Sequence, residues 1–256
     1  MATTILLGWA AMAVVMGAAW ARQRTTRDAT AVDVLWSLGI GALVLSYAIA
    51  GAGLGDPTRR ALVALVCGAW SLRLGGHLLR DRVGTSAGED GRYRHLRKVW
   101  GDGAQPRFFV LYQVQAALAA LFSLPPLVAM RGGPVDGWAW AGTALAALAI
   151  AGEGLADRQL GFFRRDPAHR GRTCRAGLWR YSRHPNYFFE WLHWWSYVLI
   201  AHGAALTWLG PALMLLFLYR VTGIPHTEAQ ALASRGDDYR DYQRTTSAFV
   251  PWPPRG

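Results

Sequence analysis

Residues 181–200 read YSRHPNYFFEWLHWWSYVLI. The first part carries Arg183, His184 and Pro185. The second is apolar and rich in tryptophan, yet keeps Glu190 and His193. Proline suits the first turn of a helix, where its missing N–H would be unpaired in any case. The residue before a proline is biased to extended backbone, so His184 marks a boundary. SRHP therefore predicts a helix start, and the run behind it predicts a helix apolar enough for a membrane. Within that helix Asn186, Glu190, His193 and Tyr197 recur at helical spacing and share one face. The other faces are Phe, Trp and Leu. A purely structural polar seam between helices is the plainer reading. Four aligned donors and acceptors that include a titratable pair favour a lined cavity instead.

The rest of the chain has the same character. Of its 256 residues 52% are hydrophobic and 17% are charged, and 13 are Trp. Apolar runs recur at about 2–20, 31–51, 60–80, 108–130, 137–161, 186–203 and 204–221. The expectation is an all-α integral membrane protein. It has seven transmembrane helices in a single domain over 1–256 and a short C-terminal surface helix, His226–Gln243. No basic residue precedes the first run, whereas Arg22, Arg24 and Arg27 follow it. A signal peptide has the opposite order, so 2–20 reads as a retained span.

The formal net charge is +11, and Lys98 is the one lysine among 27 basic residues. The arginines concentrate in 21–29, 80–107, 158–183 and 220–256. The alternate connections hold only Arg59, Arg60 and Arg131. That alternation follows the positive-inside rule, which predicts an outer N-terminus and a cytoplasmic C-terminus in a bacterial-type inner membrane. Basic charge of this kind reports topology rather than a nucleic-acid partner. Cys67 and Cys174 make neither a disulfide nor a zinc site by spacing, and the seven histidines lack paired metal-binding spacing. No metal is expected, no protein partner is predicted, and no internal repeat suggests a transporter. Gly51, Gly53 and Gly55 follow an apolar run rather than a strand, so they read as a turn and not a nucleotide loop. Thr222–Pro225 reads as a helix break, and Trp252 in AFVPWPP as an interfacial anchor.

Polar residues inside apolar spans are costly and mark function by default. Glu153, Asp157 and Arg164 share a face of span five, and Arg73, His77 and Arg80 a face of span three. Arg73 reads equally as a snorkelling side chain, as a partner for an acid such as Asp157, or as a ligand contact. Asp33, at the start of span two, reads equally as a helix cap and as a catalytic acid. Tyr112 and Gln115 read as interhelical hydrogen bonds. Together these stripes predict a cavity open to the cytoplasm. Arg175, Arg180 and Arg183 precede the start of span six, with Arg164 and Arg165 across the same loop. Arginine forks and a helix N-terminus suit phosphate.

The stretches VDVLWSLG (32–39), WSLRLGGHLLRDR (70–82), EDGRYRHLR (89–97), GLWRYSRHPNYFFEWLHWW (177–195), TGIPHTEAQ (222–230) and DDYRDYQRTTSAFVPWPP (237–254) resemble the steroid 5α-reductase superfamily, in its bacterial steroid 5α-reductase-like branch. RHPNY-like runs also resemble membrane methyltransferases for isoprenylcysteine and phospholipid amines. The resemblance implies a seven-helix membrane enzyme, an oxidoreductase of lipid metabolism that takes NADPH from the cytoplasm. It implies reduction of a carbon–carbon double bond conjugated to a carbonyl in a lipophilic small-molecule substrate reached among membrane lipids. The cofactor-binding half would be 137–254. On the family pattern Asp157, Arg164, Asn186 and Glu190 contact the cofactor, with Arg73, Arg165, Tyr181, Arg183, His184, Tyr187, Tyr239 and Tyr242 beside them. Glu190, His193, His77 and Asp33 are the catalytic candidates. Span two has no Gln-Glu pair and span three no tyrosine, unlike steroid 5α-reductases, so the substrate is left open. The alternative is an S-adenosylmethionine-dependent methyltransferase.

Overall fold

A computed structural model describes residues 2–51, 55–83, 88–221 and 223–255. Gly53, read above as part of a turn, and Thr222, read as part of a helix break, lie outside the described residues. Among the described residues the structure is helical, with no strand. The chain divides into two compact units, one ending at Val135 and one beginning at Asp136. The second begins one residue before the half expected to hold a cofactor.

The first unit runs α1 (Ala2–Thr26), α2 (Val32–Ala50), α3 (Pro57–Leu78), a π-helical turn (Leu79–Val83), α4 (Gly91–Trp100), α5 (Ala104–Phe122) and α6 (Leu124–Ala129). Asp56 caps α3 by accepting from Arg59 N at 3.0 Å, and Pro57 fills the first helical position. Arg59 is almost fully buried. Its guanidinium donates to the carbonyls of Gly133 and Pro134 at 2.7 and 2.9 Å, which satisfies a charge that burial alone would penalise. In this unit α2 packs on α3, and α1 on α5.

The second unit runs α7 (Gly137–Arg165), α8 (Pro185–Ile200), α9 (Leu209–Leu216), a π-helical turn (Phe217–Val221), α10 (Ile224–Arg235) and α11 (Asp237–Thr245). Asp136 caps α7 through Ala139 N at 2.9 Å. α7 and α8 pack along their lengths, because α7 turns the small residues Gly142, Ala146, Ala149, Gly152 and Ala156 inward. A Cβ on Gly142 would lie 2.6 Å from the Ser196 carbonyl oxygen, and one on Gly152 2.5–2.6 Å from the Phe189 ring. Glycine is what permits that approach.

Among the described residues six helical segments are long and apolar enough to cross a membrane: Ala2–Thr26, Val32–Ala50, Pro57–Val83, Gly91–Ala129, Gly137–Arg165 and Ala205–Arg235. The run expected over 186–203 is not among them. α8 starts at Pro185, as SRHP predicts, but has 16 residues. It ends in a turn in which His202 and Gly203 take positive φ, 51° and 75°. The expected single surface helix is two helices, parted at Gly236, where φ is 54°.

Candidate functional site

The α7–α8 pair carries the predicted stripe. Asn186 Nδ2 donates to Asp157 Oδ1 at 3.1 Å, and Asn186 Oδ1 accepts from Tyr187 N at 3.0 Å. One turn further in, Glu190 is buried and accepts from the Trp194 indole at 3.2 Å. His193 and Tyr197 are fully enclosed and share a hydrogen bond of 3.0 Å. Glu190, His193 and Tyr197 of the stripe are buried, and Asn186 is half-buried beside Asp157. Glu153, four residues before Asp157 on α7, is buried as well.

Beyond the C-terminal end of the stripe on α7 the surface opens into a cavity of about 230 Å³. Arg164, Arg170, Arg172 and Arg235 line it, with His169 and Cys174. No acid is among its lining residues. The His169 ring stacks on Phe163, with centroids 4.1 Å apart and planes 5° from parallel. Cys174 is buried, and desolvation pushes its thiol above the ordinary value, which keeps it protonated. Arg170 and Arg172 form no ion pair among the described residues. Guanidinium groups gathered around a cavity whose lining residues include no acid have the donor chemistry of a phosphate site.

Arg175 and Arg183 of the loop are engaged elsewhere. Arg183 donates through Nε to Glu228 Oε1 at 2.7 Å and through Nη1 to the carbonyls of Gln243 and Thr246, each at 2.8 Å. Glu228 also accepts from Gln243 at 2.7 Å and pairs with His184 Nε2 at 3.2 Å. Arg175 bridges Asp241 at 2.7 Å and Asp238 at 3.1 Å. These contacts strap α10 and α11 onto the loop before α8. Burial pulls the His184 imidazole below its ordinary value, against the opposing pull of Glu228. Its ring stacks on Tyr187, whose hydroxyl meets Thr227 Oγ1 at 3.1 Å.

Several expected contacts thus change character. Tyr242 donates to the carbonyl oxygens of Trp179 and Ser182, and Tyr239 to Glu228 at 3.4 Å. Burial raises both phenols above their ordinary values, so both remain donors to the protein. Their geometry is that of pillars under the loop rather than of ligand contacts. Arg183 and His184 belong to the same scaffold. Tyr181 is exposed, and its carbonyl accepts from Trp252 N at 2.9 Å. Arg165 lies over the Phe162 ring at 5.9 Å, and Arg164 alone of that pair lines the cavity. The loop is pinned to α7 by Trp179 Nε1 donating to Ala156 O and by Leu178 N donating to Gln159 Oε1, both at 2.9 Å. Gly177 permits this, because it takes φ 59° with its α-carbon against the Gln159 amide.

In the first unit Asp33 is neither cap nor free acid; the N-cap position is Ala31. Its carboxylate accepts from Arg92 at 2.5 Å, Tyr93 OH at 2.7 Å and Arg82 at 2.9 Å. These three donors make Asp33 a clamp for the chain after α3. His77 lies 3.8 Å from Asp81, one turn along. Arg73, one turn before His77 on α3, is half-buried.

The family described as "Protein of unknown function (DUF1295)" matches residues 19–246. The chain belongs to that family. A relative of this DUF1295 chain is the uncharacterized protein C594.04c of Schizosaccharomyces pombe (strain 972 / ATCC 24843), 28% identical over 216 residues. That alignment covers 74% of the DUF1295 chain and 63% of the relative, so the chain spans less than two thirds of that relative's length. No solved structure matches.

Reading from sequence missed Arg170, Arg172 and Arg235. The first two flank Gly171, which takes φ 77° in a turn, and it is that turn rather than their spacing that sets both at the cavity. Arg235 reaches the cavity from α10, and no local pattern announces that.

Proposed function

We propose that the chain is an integral membrane reductase of the steroid 5α-reductase-like group. It would use NADPH to reduce a carbon–carbon double bond conjugated to a carbonyl in a lipophilic substrate. One observation carries the reading. Within one unit, a pocket of four arginines without an acid stands at the end of a polar stripe that continues through Asp157–Asn186 to the buried Glu190 and His193–Tyr197. Phosphate donors at the surface and a polar track running into an apolar helix pair suit a long cofactor with a charged end.

The donor set fits that cofactor. Arg164, Arg170, Arg172 and Arg235 would hold its phosphates, while Asn186 and Glu190 offer an amide and a carboxylate for its carboxamide end. When bound, the reduced nicotinamide supplies a hydride. The chain supplies the rest. Its apolar helices exclude water, which strengthens each polar contact inside. An acid must polarise the carbonyl oxygen of the substrate and then return a proton. His193 with Tyr197 is the buried pair with a proton to share, and His77 is the further candidate from the first unit. Asp33, whose carboxylate is already taken up by three donors, is the least available of the set.

The sidedness belongs to the same reading: the N-terminus outside, the C-terminus cytoplasmic, and α8 completing seven crossings. A reporter fused at the C-terminus that is active only outside the cytoplasm would overturn it.

Ligand stabilisation tests the activity. A ligand that binds the folded state raises its thermal midpoint by mass action. NADPH is expected to raise the midpoint of the purified protein, and S-adenosylmethionine to leave it unchanged. A rise with S-adenosylmethionine alone sinks the reductase reading and selects the methyltransferase. Glu190→Gln keeps an acceptor for Trp194 and is expected to keep the fold. Turnover of a lipophilic enone should then fall by roughly a hundredfold or more. Full activity in that variant removes Glu190 from the site.

A further inference from the structure

The first unit holds a second basic cavity, remote in sequence from the α7–α8 site and independent of the reading above. Its volume is about 390 Å³, within the roughly 300–1,000 Å³ range of small-molecule sites. It lies where the end of α1 meets α4 and the start of α5. Arg24, Arg27 and Arg97 line it, with Gln105 and with Asp102 as the acid of the set.

The site is built rather than incidental. Gln23 is 1% exposed. Its amide donates to Gln105 Oε1 at 2.7 Å and accepts from Arg97 Nη2 at 3.2 Å. Arg97 is further fixed by two bonds to Glu89, of 2.7 and 3.1 Å, and by its stack over Phe108 at 4.6 Å. Those bonds use Nε and Nη2, so Nη1 has no acceptor among the described residues. Arg27 ends α1 with φ 53°, a left-handed conformation that costs a non-glycine residue energy. Its N–H closes on Gln23 O at 2.8 Å. Neither Arg24 nor Arg27 forms an ion pair among the described residues.

The wall beside the cavity names the ligand class. Arg24 lies over the Trp20 ring at 5.1 Å, and the Trp20 indole donates to Gln105 O at 3.1 Å. Trp20 packs edge-on against Phe109 at 4.9 Å. Phe109 opens an exposed apolar strip that continues down α5 through Val110 and Val114, beside Val14 and Val15 of α1. Arginines above an indole above exposed aliphatic side chains match the profile of a bilayer surface: headgroup, interface, acyl chain. Basic pockets between spanning helices take anionic lipid headgroups.

We infer that the Arg24–Arg27–Arg97 cavity binds the phosphate of an anionic phospholipid whose acyl chains lie along the exposed α1–α5 surface. The full-length protein, delipidated in mild detergent, is titrated with phosphatidylglycerol or phosphatidylcholine in mixed micelles, and with inorganic phosphate or NADPH. The readout is the thermal midpoint. Phosphatidylglycerol is expected to raise it saturably, and phosphatidylcholine and inorganic phosphate are not. Arg24→Gln with Arg27→Gly should weaken the phosphatidylglycerol response by roughly fivefold per arginine removed. Glycine accepts the backbone angle at 27, so Arg27→Gly alone keeps the fold and still shows the loss. Arg170→Gln with Arg172→Gln should leave the response intact. Equal responses to the two lipids, or an unchanged response in the Arg27→Gly protein, overturn the inference. So does an inorganic phosphate or NADPH response that is lost in the Arg24/Arg27 variant, which would make the occupant a soluble anion.

Discussion

Two sets of arginines gather around one loop of the second unit and do opposite things. Arg175 and Arg183 face acids on α10 and α11, and hold those helices against the loop before α8. Arg164, Arg170, Arg172 and Arg235 face a cavity that no acid lines. In sequence both sets look the same, a basic loop on one side of a membrane. What separates Arg175 and Arg183 from Arg170 and Arg172 is counter-charge: the first two meet carboxylates on α10 and α11, and the second two form no ion pair among the described residues. Evolution cannot easily exchange the two, because a paired arginine is fixed by its partner's position as well as by its own.

The sharpest way to break this division is at Glu228. Glu228→Ala leaves Arg183, whose side chain is 12% exposed, without its carboxylate, and strips the shared acceptor from His184, Gln243 and Tyr239. Removing one partner of a buried pair costs about 3–5 kcal/mol. A large drop in the thermal midpoint is expected, and an unchanged midpoint would show that the strap is not structural. Arg170→Gln with Arg172→Gln should do the reverse. The midpoint without ligand should stay in place while NADPH affinity falls by roughly a hundredfold, at about 1.5–3 kcal/mol for each lost charged hydrogen bond. Equal NADPH affinity in that variant would remove the cavity from the cofactor site.

Titration tests the scaffold from another side. His184 has a folded-state pKa below its unfolded value of about 6.5. The unfolded chain therefore binds more protons in the window between the two values. Stability is fully present above about pH 6.5 and falls as the pH drops toward the folded value, by at most about 1.4 kcal/mol per pH unit from this group. Thermal midpoints from pH 8 to 5 should show that limb, and His184→Gln should flatten it. The smallest effect belongs to Arg175→Gln. Arg175, Asp238 and Asp241 are each more than a third exposed, and such pairs are worth little in water. A loss at the edge of detection is expected, and a large one would make Arg175 part of the core strap.

How much of this was legible in the sequence depended on range. The all-helical architecture was, because apolar run lengths are a local property. The start of α8 at Pro185 was too, because the proline ring acts on its own neighbours. The inward stripe of Asn186, Glu190, His193 and Tyr197 followed from helical period alone. The division of the arginines was not legible. Arg183 meets Glu228 from 45 residues away and Arg175 meets Asp241 from 66. Nothing local in YSRHP says which arginine will find an acid. The same distance hid the role of Tyr239 and Tyr242, which resemble ligand residues in motif but support a loop in place. The C-terminal end of α8 also escaped, since the apolar run continues past the point where the backbone turns at His202 and Gly203.

The brevity of α8 has a consequence for the lipid around it. Sixteen residues of helix rise about 24 Å, against a hydrocarbon core of about 30 Å. If α8 completes seven crossings as proposed, the bilayer must thin beside it, at a cost of fractions of a kcal/mol per Å. On that proposal water and headgroups would come closer to both ends of α8. Membranes with shorter acyl chains would therefore host the protein with less distortion, and bilayer thickness becomes a variable that selects where it resides.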